Sequence, residues 1–203
     1  MSNGSDAFDW SGGHPALDLV NTLDERPFEH PIETLVTYID LARFVAFAGM
    51  VEPATGQRLA RLSGIRCTET LERTIELREH LHDALRAMLS GRPLPMRDLD
   101  AISTAVQAAH GSRKLIVTTS PGFAGHTWSD GLAPEIPLHA CAIAVEHLLT
   151  QVDRTKVRKC AASDCDVWFL DASKAHHRQW CSMKGCGNRE KQRRRRLPTQ
   201  STE

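Results

Sequence analysis

Four of the six cysteines form two equally spaced pairs, Cys160-x4-Cys165 and Cys181-x4-Cys186, with fifteen residues between them. Thiolates paired in this way on either side of a hairpin-sized insert are the layout that brings four sulfurs onto one tetrahedral zinc ion. Four thiolates fill the coordination shell and leave no position for water, so the metal expected is one structural Zn2+ and not a catalytic one. Two disulfides or four free core thiols are the alternatives. The paired spacing, in a chain read as cytoplasmic, favours the metal.

The same stretch continues as Gly187-Asn188-Arg189-Glu190-Lys191-Gln192 into four consecutive arginines, Arg193 to Arg196. A helix starting near Ser182 or Met183 would place Arg189, Gln192, Arg193 and Arg196 on one face, at i, i+3, i+4 and i+7. Arginine offers two donors to guanine and glutamine matches adenine, so that face suits a major groove. Lys191, Arg194 and Arg195 would point elsewhere and suit phosphates, and Asn188 at the helix start is a lesser candidate for base contact. The alternative is a solvated tail that touches no partner.

Charge supports the first reading. Residues 1–153 carry 12 Lys and Arg against 20 Asp and Glu, a net of −8, whereas residues 154–196 carry 13 against 4, a net of +9. An acidic body with a basic foot attracts polyanions, of which nucleic acid is the commonest. The first residues have no basic, apolar leader pattern, and no stretch has the length of a membrane span, so the expected location is the cytoplasm.

A second cluster lies near the start, where His14, Asp18 and Asn21 follow Gly12-Gly13. On a short helix opened by Pro15 these three would line a candidate ligand pocket, with His14 and Asp18 as an acid/base pair. Equally, Asp18 and Asn21 could satisfy buried backbone groups around the glycine turn. His110, His126, His139 and His147 are dispersed without metal-motif spacing, and Cys67 and Cys141 read as small core residues.

These groups need a scaffold, and the pattern predicts an α+β one. Residues 7–10 alternate as a short strand. Helices are expected at Pro15–Leu23, at Ile32–Met50 on a stripe of Leu35, Ile39, Phe44 and Phe47, and at residues 54–64. The longest runs from Thr68 to Leu89 on Leu71, Ile75, Leu77, Leu81, Leu85 and Leu89, followed by Pro95–His110. The acidic and basic residues of the long helix, Arg78 and Glu79 among them, read as a solvated face. Leu115–Thr119 and His126–Ser129 form a hairpin around Ser120-Pro121-Gly122, expected to pair with the opening strand. A last helix, Leu138–Val152, feeds the cysteine-rich segment with no flexible linker. The expected units are a mainly helical domain over residues 1–153 with a small antiparallel sheet, a metal module over 154–196, and a disordered tail over 197–203. Within the module a hairpin between the cysteine pairs precedes the helix, a treble-clef-like arrangement. A module of about 40 residues cannot stand on an apolar core alone, so zinc supplies what Trp168, Phe169 and Trp180 cannot. Lys159, Lys184 and Arg189 are placed to offset the formal −2 of the metal site.

The run from Cys160 to Cys165, then Trp168-Phe169-Leu170-Asp171-Ala172-Ser173, then Trp180-Cys181 through Cys186-Gly187-Asn188-Arg189, resembles the bacterial CGNR zinc finger. Gly13-His14-Pro15-Ala16-Leu17-Asp18-Leu19-Val20-Asn21-Thr22 resembles the start of the domain that precedes this finger in the ABATE family of stress-induced transcription regulators. The resemblance implies a DNA-binding finger behind a domain that senses an unknown small molecule, and no enzyme. Where family members are arginine-rich before the Trp-Cys pair, this chain has Ala175-His176-His177-Arg178-Gln179. Two other readings compete: a finger for RNA or protein contact, and an enzyme with its site around His14 and Asp18. No nucleophile motif, phosphate loop or paired-carboxylate pattern supports the enzyme. The sequence is compatible with a homodimer.

Overall fold

In the computed structural model, residues 8–118 and 123–196 are described, Arg196 by its backbone alone. The elements are α1 (Pro15–Val20), β1 (Leu23–Asp24), β2 (Ile32–Glu33), α2 (Tyr38–Phe47), α3 (Pro53–Leu59), α4 (Ile65–Leu89), α5 (Met96–Gly111), β3 (Arg113–Val117), β4 (Ala124–Trp128), α6 (Ile136–Gln151), β5 (Val157–Lys159), β6 (Trp168–Leu170) and α7 (Asn188–Arg196). The class is α+β, with three two-stranded antiparallel sheets among the described residues.

Short α1 sits at the centre because it is apolar on nearly every side. Ala16, Leu17, Leu19 and Val20 are all essentially inaccessible, packed against α4 and α6. Its entry is fixed by His14, whose ring accepts from the Ala16 N–H, and by proline in the first turn, where no donor is lost. The long α4 buries Leu71, Leu77, Leu81 and Leu85 on one side, and α6 brings Leu138, Cys141, Val145 and Leu148 against it. Burial of that much aliphatic surface is the main stabilising term for a helical layer of this kind.

Several expectations are corrected. Phe8 to Trp10 form no strand, and Ala7, Thr119 and Ser120-Pro121-Gly122 lie outside the described residues. The aromatic rings instead anchor the chain to α2: Trp10 stacks on Phe44 at 5.6 Å and Phe8 meets it edge-on at 5.4 Å. The β3–β4 hairpin, Arg113 paired with Trp128 through to Val117 with Ala124, therefore has no third strand among the described residues. The helix expected from Ile32 starts only at Tyr38. Thr37 and Asp40 form a reciprocal capping box, and Ile32–Glu33 pairs with Leu23–Asp24 instead. The new start rotates the stripe, so Tyr38, Leu41, Phe44 and Val45 are buried while Ile39 and Phe47 are exposed.

The charged face of α4 is also not simply solvated. Arg78 is 2 % exposed and donates to Glu33 at 2.7 and 2.8 Å, to Glu79 at 2.8 Å and to the Thr22 hydroxyl at 3.0 Å. Arg26 closes the network on Glu79 at 2.7 Å. A buried guanidinium needs this full set of acceptors, and it ties the β1–β2 segment to α4.

A four-cysteine zinc centre and a candidate nucleic-acid interface

The metal site is assembled from two turns. Sheet β5–β6 wraps the first cysteine pair, with Val157 opposite Leu170 and Lys159 opposite Trp168, so Cys160 and Cys165 sit in the loop of that hairpin. This corrects the expected hairpin between the two pairs: from Asp171 to Ser182 the chain is without strand. The buried Asp171 carboxylate organises that segment, accepting from Ser173 N at 3.0 Å and Arg178 N at 3.0 Å. Arg178 then covers the Phe169 ring at 4.4 Å. The Ala161 N–H donates to Gln179 O at 2.8 Å, which returns the chain to the first knuckle. Ser182 caps a single π turn, Met183–Gly187, that carries Cys186 and passes directly into α7.

The four sulfurs of Cys160, Cys165, Cys181 and Cys186 all lie within 4.8 Å of one another. Cys165 to Cys181 is 3.8 Å and Cys181 to Cys186 is 3.5 Å. A tetrahedron with Zn–S bonds of about 2.3 Å has edges of about 3.8 Å, so the donor set fits zinc. It does not fit disulfides, since all six cysteines are free. The Cys181 backbone N–H donates to Cys160 Sγ at 3.5 Å. Backbone donors aimed at sulfur favour the thiolate that a metal needs. One structural zinc is held here by four cysteines.

Charge around the centre comes largely from Arg189, whose Nη2 donates to Cys186 Sγ at 3.2 Å. Lys159 instead pairs with Asp166, and Lys184 is exposed. Arg189 and Arg193, one turn apart on α7, both reach Asp164 in the first knuckle, at 3.0 and 3.2 Å. The Arg189 hydrogen bond holds the Asp164 carboxyl below its usual range. Arg193 also donates to Ser163 Oγ and to Glu190 at 2.7 Å. Asn188 donates to Lys184 O at 3.3 Å. Lys191, Gln192, Arg194 and Arg195 are exposed. The side chain of Arg196 lies outside the described residues.

The finger is bonded into the helical layer. Leu170 N donates to Gly12 O at 2.8 Å, and Asn21 exchanges two bonds with the Trp168 backbone. Alternation along β6 turns Phe169 into the finger and Trp168, fully buried, into the main core. Trp168 therefore belongs to the larger core and not to the finger's own. His82 of α4 meets the Trp168 ring edge-on at 6.3 Å and approaches Asp166 at 3.4 Å.

His14, Asp18 and Asn21 have separate surroundings. Asp18 accepts from Gly12 N at 2.9 Å, and a Cβ at Gly12 would stand 2.6 Å from its oxygen, so only glycine fits there. Burial, with Asp9 adding to it, pushes the Asp18 carboxyl up to about 7. His14 meets Asp18 through the backbone, Asp18 N donating to His14 O at 3.0 Å, but its ring turns to His147: Nε2 lies 2.9 Å from Nδ1 of His147, and the two rings stack at 5.2 Å. Burial, then the charge of His147, pushes His14 down to about 4. His14 and His147 share a cleft with Arg113 and Trp128. His147 is the residue that sequence reasoning missed: it lies 133 positions from His14, and no local spacing marks it.

Residues 13–152 match the family model ABATE, described as "putative stress-induced transcription regulator". The chain belongs to the ABATE family. Residues 156–197 match the CGNR zinc finger, which contains all four cysteines. The comparison with curated proteins gives no match. In this ABATE protein no helix among the described residues is long and apolar enough to cross a membrane. The families matched are of regulator and zinc-finger type.

Proposed function

We propose that this ABATE protein is a transcription regulator that binds DNA through α7 of its zinc finger and senses a small molecule through its N-terminal domain. The observation that carries the reading is that α7 follows directly on the metal knuckle, with Lys191, Gln192, Arg194 and Arg195 exposed, on a chain whose first 153 residues are acidic. A helix of this width and charge fits a major groove. Arg189, Gln192, Arg193 and Arg196 are the base-reading set, and Lys191, Arg194 and Arg195 hold phosphates on either side. The functional units are residues 1–153 and 154–196, acting in the cytoplasm.

Sensing is supported by α1, which touches both halves. Its N-cap His14 opens onto the cleft with His147, while Gly12 before it and Asn21 after it bind the finger's β6. The six-residue helix α1 is thus a physical link between the cleft and the finger. The test is electrophoretic retention of a selected duplex against random competitor at two salt concentrations. Preference for one duplex is the expected result. Equal binding to every polyanion, RNA included, would instead make the finger a general polyanion module.

A further inference from the structure

The cleft at the start of α1 has a lining that specifies a ligand class. It is about 400 Å3, bounded by Arg113 and Trp128 of the β3–β4 hairpin, by Ile143 and His147 of α6, by Met50 and by His14. A cavity of this size takes one or two rings. Its sides are almost wholly apolar, and no aspartate or glutamate lines it.

Two features make it more than a greasy gap. Arg113 and Trp128 face each other across the first pair of the hairpin, and the guanidinium lies over the indole at 5.8 Å. Arg113 makes no ion pair among the described residues, so this half-buried cation has a ring beneath it and no carboxylate partner. The Trp128 ring also lies 6.1 Å from the tilted ring of His139, and His139 is fixed by Ser112 at 2.9 Å.

The second feature is the histidine pair. His14 Nδ1 accepts from Ala16 N–H at 3.2 Å, which puts the proton of the neutral ring on Nε2 and makes it the donor to His147 Nδ1. In that arrangement the remaining proton of His147 sits on Nε2, at the outer edge of its ring. The cleft is thus lined by an arginine, two histidines and a tryptophan, with no carboxylate that would recognise a cation.

We infer that this cleft binds a small organic anion with a flat apolar body, of the aromatic carboxylate class, its carboxylate on Arg113 and its ring against Trp128. The inference rests on the proposed sensing role of the N-terminal domain and names its ligand. Charge-assisted hydrogen bonds to a planar guanidinium fix the carboxylate, and ring stacking excludes aliphatic anions of equal charge.

The test is calorimetric titration of the zinc-loaded full chain with benzoate and with benzamide, its uncharged twin. Benzoate binds saturably with a Kd of about 1 mM or tighter, and benzamide at least about tenfold more weakly. Arg113→Met removes that difference at an unchanged melting temperature, while Arg92→Met, in another loop, leaves it intact. Should Arg113→Met impair folding, Trp128→Leu serves instead and weakens benzoate and benzamide alike. Absence of saturable benzoate binding, equal affinity for the two probes, or a preference for benzoate that survives Arg113→Met overturns the inference. Because the readout contains no DNA, these results are separate from the duplex-retention experiment, and either reading can fail while the other stands.

Discussion

Asn21 and Trp168, 147 residues apart, are joined by two hydrogen bonds: Asn21 Nδ2 donates to Trp168 O and Trp168 N donates to Asn21 Oδ1, each at 2.9 Å. A side-chain amide thus takes the place of a neighbouring strand for β6. Both partners are buried, so removal of the amide strands a backbone donor and acceptor away from water. Asn21→Ala should cost roughly 2 to 4 kcal/mol. It should also raise amide exchange at Trp168 more than at α5. Unchanged protection of Trp168 in the variant would show that the finger is held by other contacts.

Removal of zinc tests how deeply the finger is built into the core. Cys181→Ser takes one thiolate from a filled shell, and the metal should leave, with apparent binding energies for such sites of about 10 to 16 kcal/mol. The finger, residues 158–196, should become protease-sensitive while the helices before residue 153 persist. Those helices should not persist unharmed, because Trp168 fills their core: loss of a buried aromatic side chain costs about 3 to 5 kcal/mol. The checks are metal content, limited proteolysis and the melting temperature of the helical part. A zinc-free wild-type protein, reduced and folded, would contradict the site.

Asp18 and His14 impose opposite slopes on stability against pH. The carboxyl of Asp18 is raised by burial to about 7, so its folded form holds a proton more tightly than the unfolded chain. Its stabilising effect is complete below the unfolded value of 3.8 and is lost as pH rises to about 7, an upper bound of about 4 kcal/mol. His14, lowered to about 4, does the reverse and costs stability as pH falls from 6.5. Asp18→Asn keeps an acceptor for Gly12 N and removes the first slope. The variant should be more stable than wild type at pH 8, should lose that advantage toward pH 4, and should keep the loss of stability on acidification that His14 shares with His139 and Glu79, which are lowered as well. Denaturant midpoints across that range decide it, and an equal gain at both ends would assign the effect to packing.

What the sequence disclosed was local. The cysteine pairs, the four arginines and the long α4 are readable because each depends on spacing within one segment. Thr37 and Asp40 were readable in principle as a capping box, but the apolar stripe through Leu35 and Ile39 suggested an earlier helix start. Arg78 looks like any surface arginine in a mixed-charge helix, and only Glu33 and Thr22, from another segment, reveal it as buried. The same holds for the site: His14 is marked by its turn, whereas His147, Arg113 and Trp128 reach it from separate elements. Trp168 could not be assigned to one core or the other until β6 had a neighbour to define its two faces.

Asp164 offers a test of how α7 meets DNA. It holds Arg189 and Arg193 against the first knuckle, so the arginines proposed to read bases are pre-positioned and partly neutralised in the free protein. Lys191, Arg194 and Arg195 carry no such restraint. Arg195→Ala should therefore weaken binding to all duplexes and lower the slope of log affinity against log salt by about one unit. Arg193→Ala should cost roughly 1 to 3 kcal/mol on the selected duplex and relax sequence preference. Asp164→Asn removes the carboxylate that both arginines share, while Arg189 keeps Cys186 and Arg193 keeps Ser163 and Glu190: affinity for every duplex should rise and the salt slope steepen, while the ratio between selected and scrambled duplex falls because the guanidinium groups lose one of the contacts that fix them. Titration of the three variants against both duplexes at two salt concentrations separates these outcomes. If Asp164→Asn raises affinity with the ratio unchanged, Asp164 only tempers charge and the reading of bases lies with Gln192 and Arg196.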